Sequence, residues 1–308
     1  MTEVIGRLFD FSGTGALLHL PFVRTALLAA AVLGLIAGLL APLIVTRGMS
    51  FAVHGTAELS FTGGAAALLA GVSVGLGAVV GALVASVVFG LLGLRHRERD
   101  SVIGVVLAFG LGLGVLMLAL YQGRTANKFG LLTGSIVSVD STNLWLLTGC
   151  AAVVIGVLLV YYRPLLFASA DPGVAAARGV PVRLLSMVFA VLIGLSTALA
   201  VPAVGAILVL AVMVTPGAAA ARVSSNPAVV TALSVLFAEV ALIGGVALSL
   251  APGVPISGYV TTLIFLCYVG CRLVARYRRV ALLEPPGPLS PGAGPGPRGG
   301  RSPAPPGR

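Results

Sequence analysis

The chain has 308 residues, 58% of them apolar and 9% charged, with a net charge of +10 and a mean hydropathy of +1.10. A soluble domain carries about 25% charged residues, and no water-surrounded core of this size hides so much apolar surface; the composition excludes a soluble protein and requires a polytopic membrane protein. The positive charge does not make a nucleic-acid surface, because the basic residues form no single patch and instead punctuate the gaps between apolar runs, as topology signals do.

Charge-free windows mark the expected spans in chain order. Met1–Val23 contains Glu3 and Asp10 and no short apolar core before a small-residue cleavage site, so no cleavable leader is expected. The first span lies between Arg24 and Arg47. The second and third fill Ser60–Ala70 and Val74–Leu94, with a turn at Gly71–Val72–Ser73, and the charged run Arg95–Asp100 ends that hairpin. A fourth span runs Ser101–Tyr121, a polar segment Gln122–Asn143 follows, and Leu144–Tyr162 is the fifth span. A second polar segment covers Arg163–Arg183.

Between Arg183 and Arg222 lie 38 residues with no charged side chain. As one helix they would extend about 57 Å at ~1.5 Å per residue, against a hydrocarbon core about 30 Å thick. They are therefore expected to be a sixth and a seventh span divided at Pro202. The eighth runs about Ala228–Leu250 and the ninth Gly258–Val274. The fold class is all-α: a transmembrane helix bundle of about nine spans, with eight or ten also compatible.

Fifteen of the nineteen basic residues fall on one side if Arg95, Arg97 and Arg99 are cytoplasmic; Arg7, Arg24, Arg124 and Lys128 fall on the other. The positive-inside bias then places the N-terminus outside and the C-terminus inside. Three regions follow: an extracytoplasmic segment 1–23, a transmembrane domain 24–282, and a Pro/Gly-rich cytoplasmic tail 283–308, whose composition is that of a disordered chain. Gly34-x-x-x-Gly38, Gly77-x-x-x-Gly81 and the alternating Gly110, Gly112 and Gly114 allow close helix approach, either within one bundle or between copies. Cys150, Cys267 and Cys271 all lie in apolar stretches. Cys267 and Cys271, at i, i+4, could offer two soft ligands, but small packing residues in a membrane helix are the simpler reading.

An ionisable group in the bilayer costs roughly 2.5–3.5 kcal/mol on insertion scales, so those that persist are functional candidates. His54 and Glu58, at i, i+4, would share a helix face. An imidazole and a carboxylate at that spacing can ligate one divalent cation; they can also be a mutually satisfied interfacial pair. Glu239 falls near the middle of the eighth span, either as a polar-path residue or as a neutral acid bonded to a neighbouring helix. In Asp171–Gly179 the composition predicts a short helix: Asp171 caps it, Pro172 occupies the first position, Ala175–Arg178 form the body and Gly179 ends it. Such an element can dock a cytoplasmic partner or simply be a loop. No phosphate-cradling loop, nucleophile elbow or H-E-x-x-H motif is present, so an ATP-driven process would need a separate ATPase.

Several stretches resemble the zinc/manganese permease family of ATP-binding-cassette importers. Val204-Gly205-Ala-Ile-Leu208-Val209-Leu-Ala211-Val-Met-Val-Thr-Pro216-Gly-Ala218-Ala-Ala220 resembles that family's V-G-x-x-L-V-x-A-x-x-x-x-P-x-A-x-A span. Arg99-Asp100-Ser-Val-Ile103-Gly104 and Gly134-Ser135-Ile136 resemble two further segments, and Asp171–Gly179 resembles the coupling segment D-P-x-x-A-x-x-x-G. The likeness covers roughly Leu17–Arg279. It implies a homodimeric permease in the plasma membrane with the metal path on the two-fold axis. Two cytoplasmic ATPase subunits would dock on Asp171, Pro172, Ala175, Arg178 and Gly179, and an extracytoplasmic metal-binding protein would deliver the ion. No cofactor is expected beyond the transported metal. The family's G-D-x-x-x-H pattern is met by His54, but Ser50 stands where its aspartate belongs; Glu58, with Glu239 as a further candidate, is expected to supply the missing carboxylate. The other readings of the chain are a siderophore/cobalamin-type permease, which needs a wider apolar path, and an ATP-independent carrier with Glu239 as proton relay. A structural or signalling membrane protein is disfavoured by the scarcity of extramembrane domains.

Overall fold

The computed structural model describes residues 20–92, 99–123, 141–250 and 256–283. The expected tail, most of the N-terminal segment, Arg95, Arg97 and Gly134–Ile136 lie outside them. Among the described residues there are ten helices and no strand. They are α1 (Pro21–Thr46), α2 (Ser50–Ala70), α3 (Val74–Leu92), α4 (Arg99–Leu120), α5 (Ser141–Ala170), α6 (Pro172–Ala177), α7 (Val182–Val204), α8 (Ala206–Val223), α9 (Pro227–Leu250) and α10 (Ile256–Leu283). Six of them (α1, α4, α5, α7, α9 and α10) are long and apolar enough to cross a membrane, and α3 and α8 are apolar over shorter lengths.

Irregular backbone cannot face lipid, and among the described residues the turns fall where capping groups or glycine close the helices. Gly71 ends α2 in the left-handed region and opens the expected turn into α3. The long charge-free run divides at Gly205 rather than at Pro202, which lies inside α7. Gly205 has φ +88 and ψ 148, a conformation open to glycine and strained for other residues. A proline near a helix end loses one backbone bond but keeps a helical φ, and membrane helices tolerate that. Pro42, Pro164 and Pro216 likewise sit inside α1, α5 and α8. Two expected boundaries also move outward: α2 begins at Ser50, and α5 continues through Arg163 and Pro164 to Ala170.

Helix α1 is among the most enclosed, packed on α9, α8, α5 and α7; α2 packs on α3, α4, α7 and α8. Large apolar side chains such as Phe109, Leu159 and Phe265 point outward, as a lipid-facing surface requires. Lipid tails are as apolar as leucine, so helix association rests on close van der Waals fit at small residues. The glycine pairs supply it within this chain. Methyl groups at Gly63, Gly77 or Gly81 would overlap the backbone where α2 meets α3, and Gly38 receives the backbone of Val235 from α9. Gly110 and Gly114 accept Leu59 and Phe61 from α2, whereas Gly112 has open space. Gly38, Gly63, Gly77, Gly81, Gly110 and Gly114 are thus occupied by contacts inside one copy.

Candidate functional site

The first half of helix α2 carries Ser50, His54, Thr56 and Glu58, and the surrounding helices bury most of it. His54 is half-buried and Glu58 is 5% exposed. They stand one turn apart on one face, with Ser50 one turn before and Phe61 and Ala65 continuing the row. Phe61 is fully buried, so the polar row of Ser50, His54 and Glu58 ends against an apolar plug. The Thr62 hydroxyl, beside it, lies 2.8 Å from the Glu58 carbonyl and 2.6 Å from the Gly110 carbonyl and shares its one proton between them, which ties the middle of α2 to α4.

Two buried atoms of the row, His54 Nδ1 and Glu58 Oε2, have no hydrogen-bond partner among the described residues. Buried polar atoms are nearly always partnered, and exceptions call for an explanation such as a bound ion. The mutually satisfied interfacial pair considered from the sequence leaves both atoms unexplained. A divalent cation bound by both would account for them.

Glu239 is placed elsewhere. It lies near the middle of α9 with its carboxyl against Gly34 of α1: a methyl built on Gly34 would stand 2.9 Å from Glu239 Cδ. Its Oε2 also lacks a partner. Helices α2 and α9 share no extensive contact, and among the described residues no three His, Cys, Asp or Glu side chains gather closely enough to hold a metal. His54 and Glu58 are therefore brought together by one helix face, and Glu239 is not brought to them. Cys267 is half-buried, Cys271 buried, and both are free thiols on α10, consistent with packing residues.

The Asp171–Gly179 segment folds as its composition predicts. Asp171 Oδ1 accepts from the Val174 amide at 2.9 Å, Pro172 opens α6, Arg178 is the C-terminal cap and Gly179 follows in the left-handed region. Ala175 is fully buried and seats α6 against the ends of α5 and α7, while Asp171, Pro172, Arg178 and Gly179 are exposed. The result is a short helix fixed on its inner side and open on its outer side.

One residue escaped the reading of the sequence. Arg47, taken only as a topology marker, makes side-chain contacts with α5 and α7 at the end of the bundle that carries α6. A lone arginine after an apolar window carries no sequence signal of such a role.

The model of the ABC 3 transport family matches residues 19–275. The chain is 29% identical over 231 residues to the manganese transport system membrane protein MntC of Halalkalibacterium halodurans, covering 75% of this chain and 79% of that one. It is 31% identical over 200 residues to the manganese import system permease protein ScaB of Streptococcus parasanguinis, covering 65% and 71%. Among solved structures, PsaBC from Streptococcus pneumoniae in complex with Fab contains a chain that superposes with a TM-score of 0.76 at 25% identity, over 90% of this chain and 99% of that one.

Proposed function

The chain belongs to the ABC 3 transport family, and from that premise we propose that it is the membrane permease subunit of an ATP-driven importer for a divalent transition metal ion, manganese or zinc. The observation that carries the reading to particular residues is the polar row on α2, where two buried ligand atoms one turn apart lack partners. The curated relatives named for manganese transport support the cargo class. The metal is substrate rather than cofactor.

The reading places about nine spans in the membrane by counting α2, α3 and α8 with the six apolar helices, sets the N-terminus outside, and puts the tail in the cytoplasm. A cytoplasmic ATPase subunit docks on the outer side of α6, at Asp171, Pro172, Arg178 and Gly179, and an extracytoplasmic metal-binding protein delivers the ion. His54 offers a neutral imidazole nitrogen and Glu58 a carboxylate oxygen. This pair of ligands would hold an ion without enclosing it, and weak ligation lets the ion leave again. A closed four-ligand cysteine and histidine site would trap zinc instead. ATP-driven movement at α6 rocks the bundle between outward- and inward-facing states. Glu239 is assigned the part of a buried acid seated between α1 and α9, apart from the ion's lane.

The test is metal uptake by the reconstituted complex, with manganese and zinc in competition. His54→Ala and Glu58→Ala are each expected to cut uptake at least about tenfold, the loss of one charge-assisted ligand contact, with the complex still assembled. Unchanged uptake in both variants would remove the site from α2.

A further inference from the structure

Arg47 is the first residue after α1, and its guanidinium grips two other helices. Nε donates to Ser169 Oγ at 2.6 Å and Nη2 donates to the Leu165 carbonyl at 3.1 Å, both near the end of α5. The same group lies over the ring of Phe189 on α7, 4.8 Å from its centroid. Leu165 and Phe189 are fully buried and Ser169 is 9% exposed, so the grip reaches into the packed part of the bundle. The planar fork of arginine binds two acceptors in fixed directions and stacks on an aromatic face, giving three points of hold that a lysine ammonium cannot reproduce.

The two gripped helices flank α6. Helix α5 ends at Ala170, with only Asp171 between it and α6, and α7 starts five residues after α6 ends; α6 packs on both. On the other side of Arg47 the chain passes through Gly48 and Met49 directly into α2. That link is short and hydrogen-bonded back onto α1. The Gly48 amide donates to the Val45 carbonyl at 3.1 Å and the Met49 amide to the Ile44 carbonyl at 2.9 Å, and Gly48 turns the chain at φ +62. His54 is seven residues beyond Arg47. The path from the α5 and α7 ends to the polar row thus runs through Arg47 and a two-residue turn.

We propose that Arg47 is a positioning residue that transmits movement of α6 to the His54–Glu58 row. It holds the α1–α2 turn to both arms of the docking helix, so that the metal lane opens and closes with the ATPase. The proposal rests on the permease reading above.

The experiment measures metal ions taken up per ATP hydrolysed by the reconstituted complex, with assembly followed by copurification of the ATPase. Arg47→Met keeps a long apolar stem and removes both donors. It is expected to leave the complex assembled and hydrolysing ATP while the ratio falls about tenfold or more, the loss of two charge-assisted hydrogen bonds. Arg47→Lys is expected to restore only a minor part of the ratio. Ser169→Ala, which removes one acceptor, is expected to lower it less, and it decides the matter if Arg47→Met fails to assemble. An unchanged ratio in these variants, with uptake and hydrolysis falling together or not at all, would reduce Arg47 to a structural contact and overturn the proposal. A native complex with no ATP-driven uptake would instead refute the permease reading, before any variant is compared.

Discussion

Gly34 and Gly38 stand one turn apart on α1 and both receive α9, yet an added methyl meets different obstacles at the two. Alanine in a helix interior gains about 1 kcal/mol over glycine from propensity alone. At Gly34 the methyl would lie 2.9 Å from Glu239 Cδ and 3.0 and 3.1 Å from its two oxygens. These atoms are the far end of a flexible side chain, and moving them off a preferred rotamer costs about 0.5–1.5 kcal/mol. The net change at Gly34 is close to zero. At Gly38 the methyl would fall on Val235 Cα and 2.8 Å from Val235 N, backbone atoms that move only if α1 and α9 part. Overpacking of that kind costs about 1–3 kcal/mol, and the separated helices also lose dispersion contacts along their seam. With propensity subtracted, Gly38→Ala is expected to destabilise by up to about 2 kcal/mol, and at roughly 2–4 °C per kcal/mol its thermal midpoint falls by up to about 4–8 °C. Gly34→Ala is expected to stay within about 2 °C of the native protein. Fluorescence-detected size exclusion after heating in detergent reads both. Equal losses at the two positions, or a larger loss at Gly34, would refute the placement of Glu239 and Val235 of α9 against α1.

Three further outcomes follow from the geometry, each read by the same heating assay unless stated. Gly205→Ala forces a non-glycine residue to φ +88 and is expected to cost about 1–3 kcal/mol, while Pro202→Ala, inside α7, is expected to be tolerated; the reverse order would return the α7–α8 division to the proline. Asp171→Ala removes the cap on the Val174 amide, worth about 1 kcal/mol, and is expected to reduce ATPase copurification without lowering the thermal midpoint of the bundle. A methyl at Gly114 would come 2.7 Å from the Phe61 ring, whereas one at Gly112 meets nothing within 4 Å; because Phe61 caps the polar row, Gly114→Ala is expected to change metal uptake and Gly112→Ala to leave it as it was.

Most helices were legible because lipid imposes a simple code: a charge-free window of about twenty residues is a span. The Gly71 turn and the Asp171–Pro172 start were legible because turn and cap chemistry is local. The boundaries that moved depend on surroundings. Helix α2 starts ten residues before the expected Ser60, since His54, Thr56 and Glu58 lower its hydropathy, and the bundle rather than lipid surrounds them. Helix α5 runs past Tyr162 because Arg163 and Pro164 interrupt the apolar window without interrupting the backbone. Pro202 drew the division away from Gly205, because proline is a stronger breaker in water than near a membrane helix end. The His54–Glu58 pair could be read from spacing, since one helix carries both. The seat of Glu239 on Gly34 and the hold of Arg47 on α5 and α7 join residues more than a hundred positions apart, and spacing carries no trace of such contacts.

Nucleotide-dependent uptake in proteoliposomes that hold this chain with and without an ATPase partner is the most direct test of ATP-driven metal import. Manganese or zinc is expected to accumulate only when the partner and ATP are both present, and to stop accumulating in the His54→Ala, Glu58→Ala double variant. Accumulation by this chain alone, driven by a proton gradient and indifferent to ATP, would contradict it.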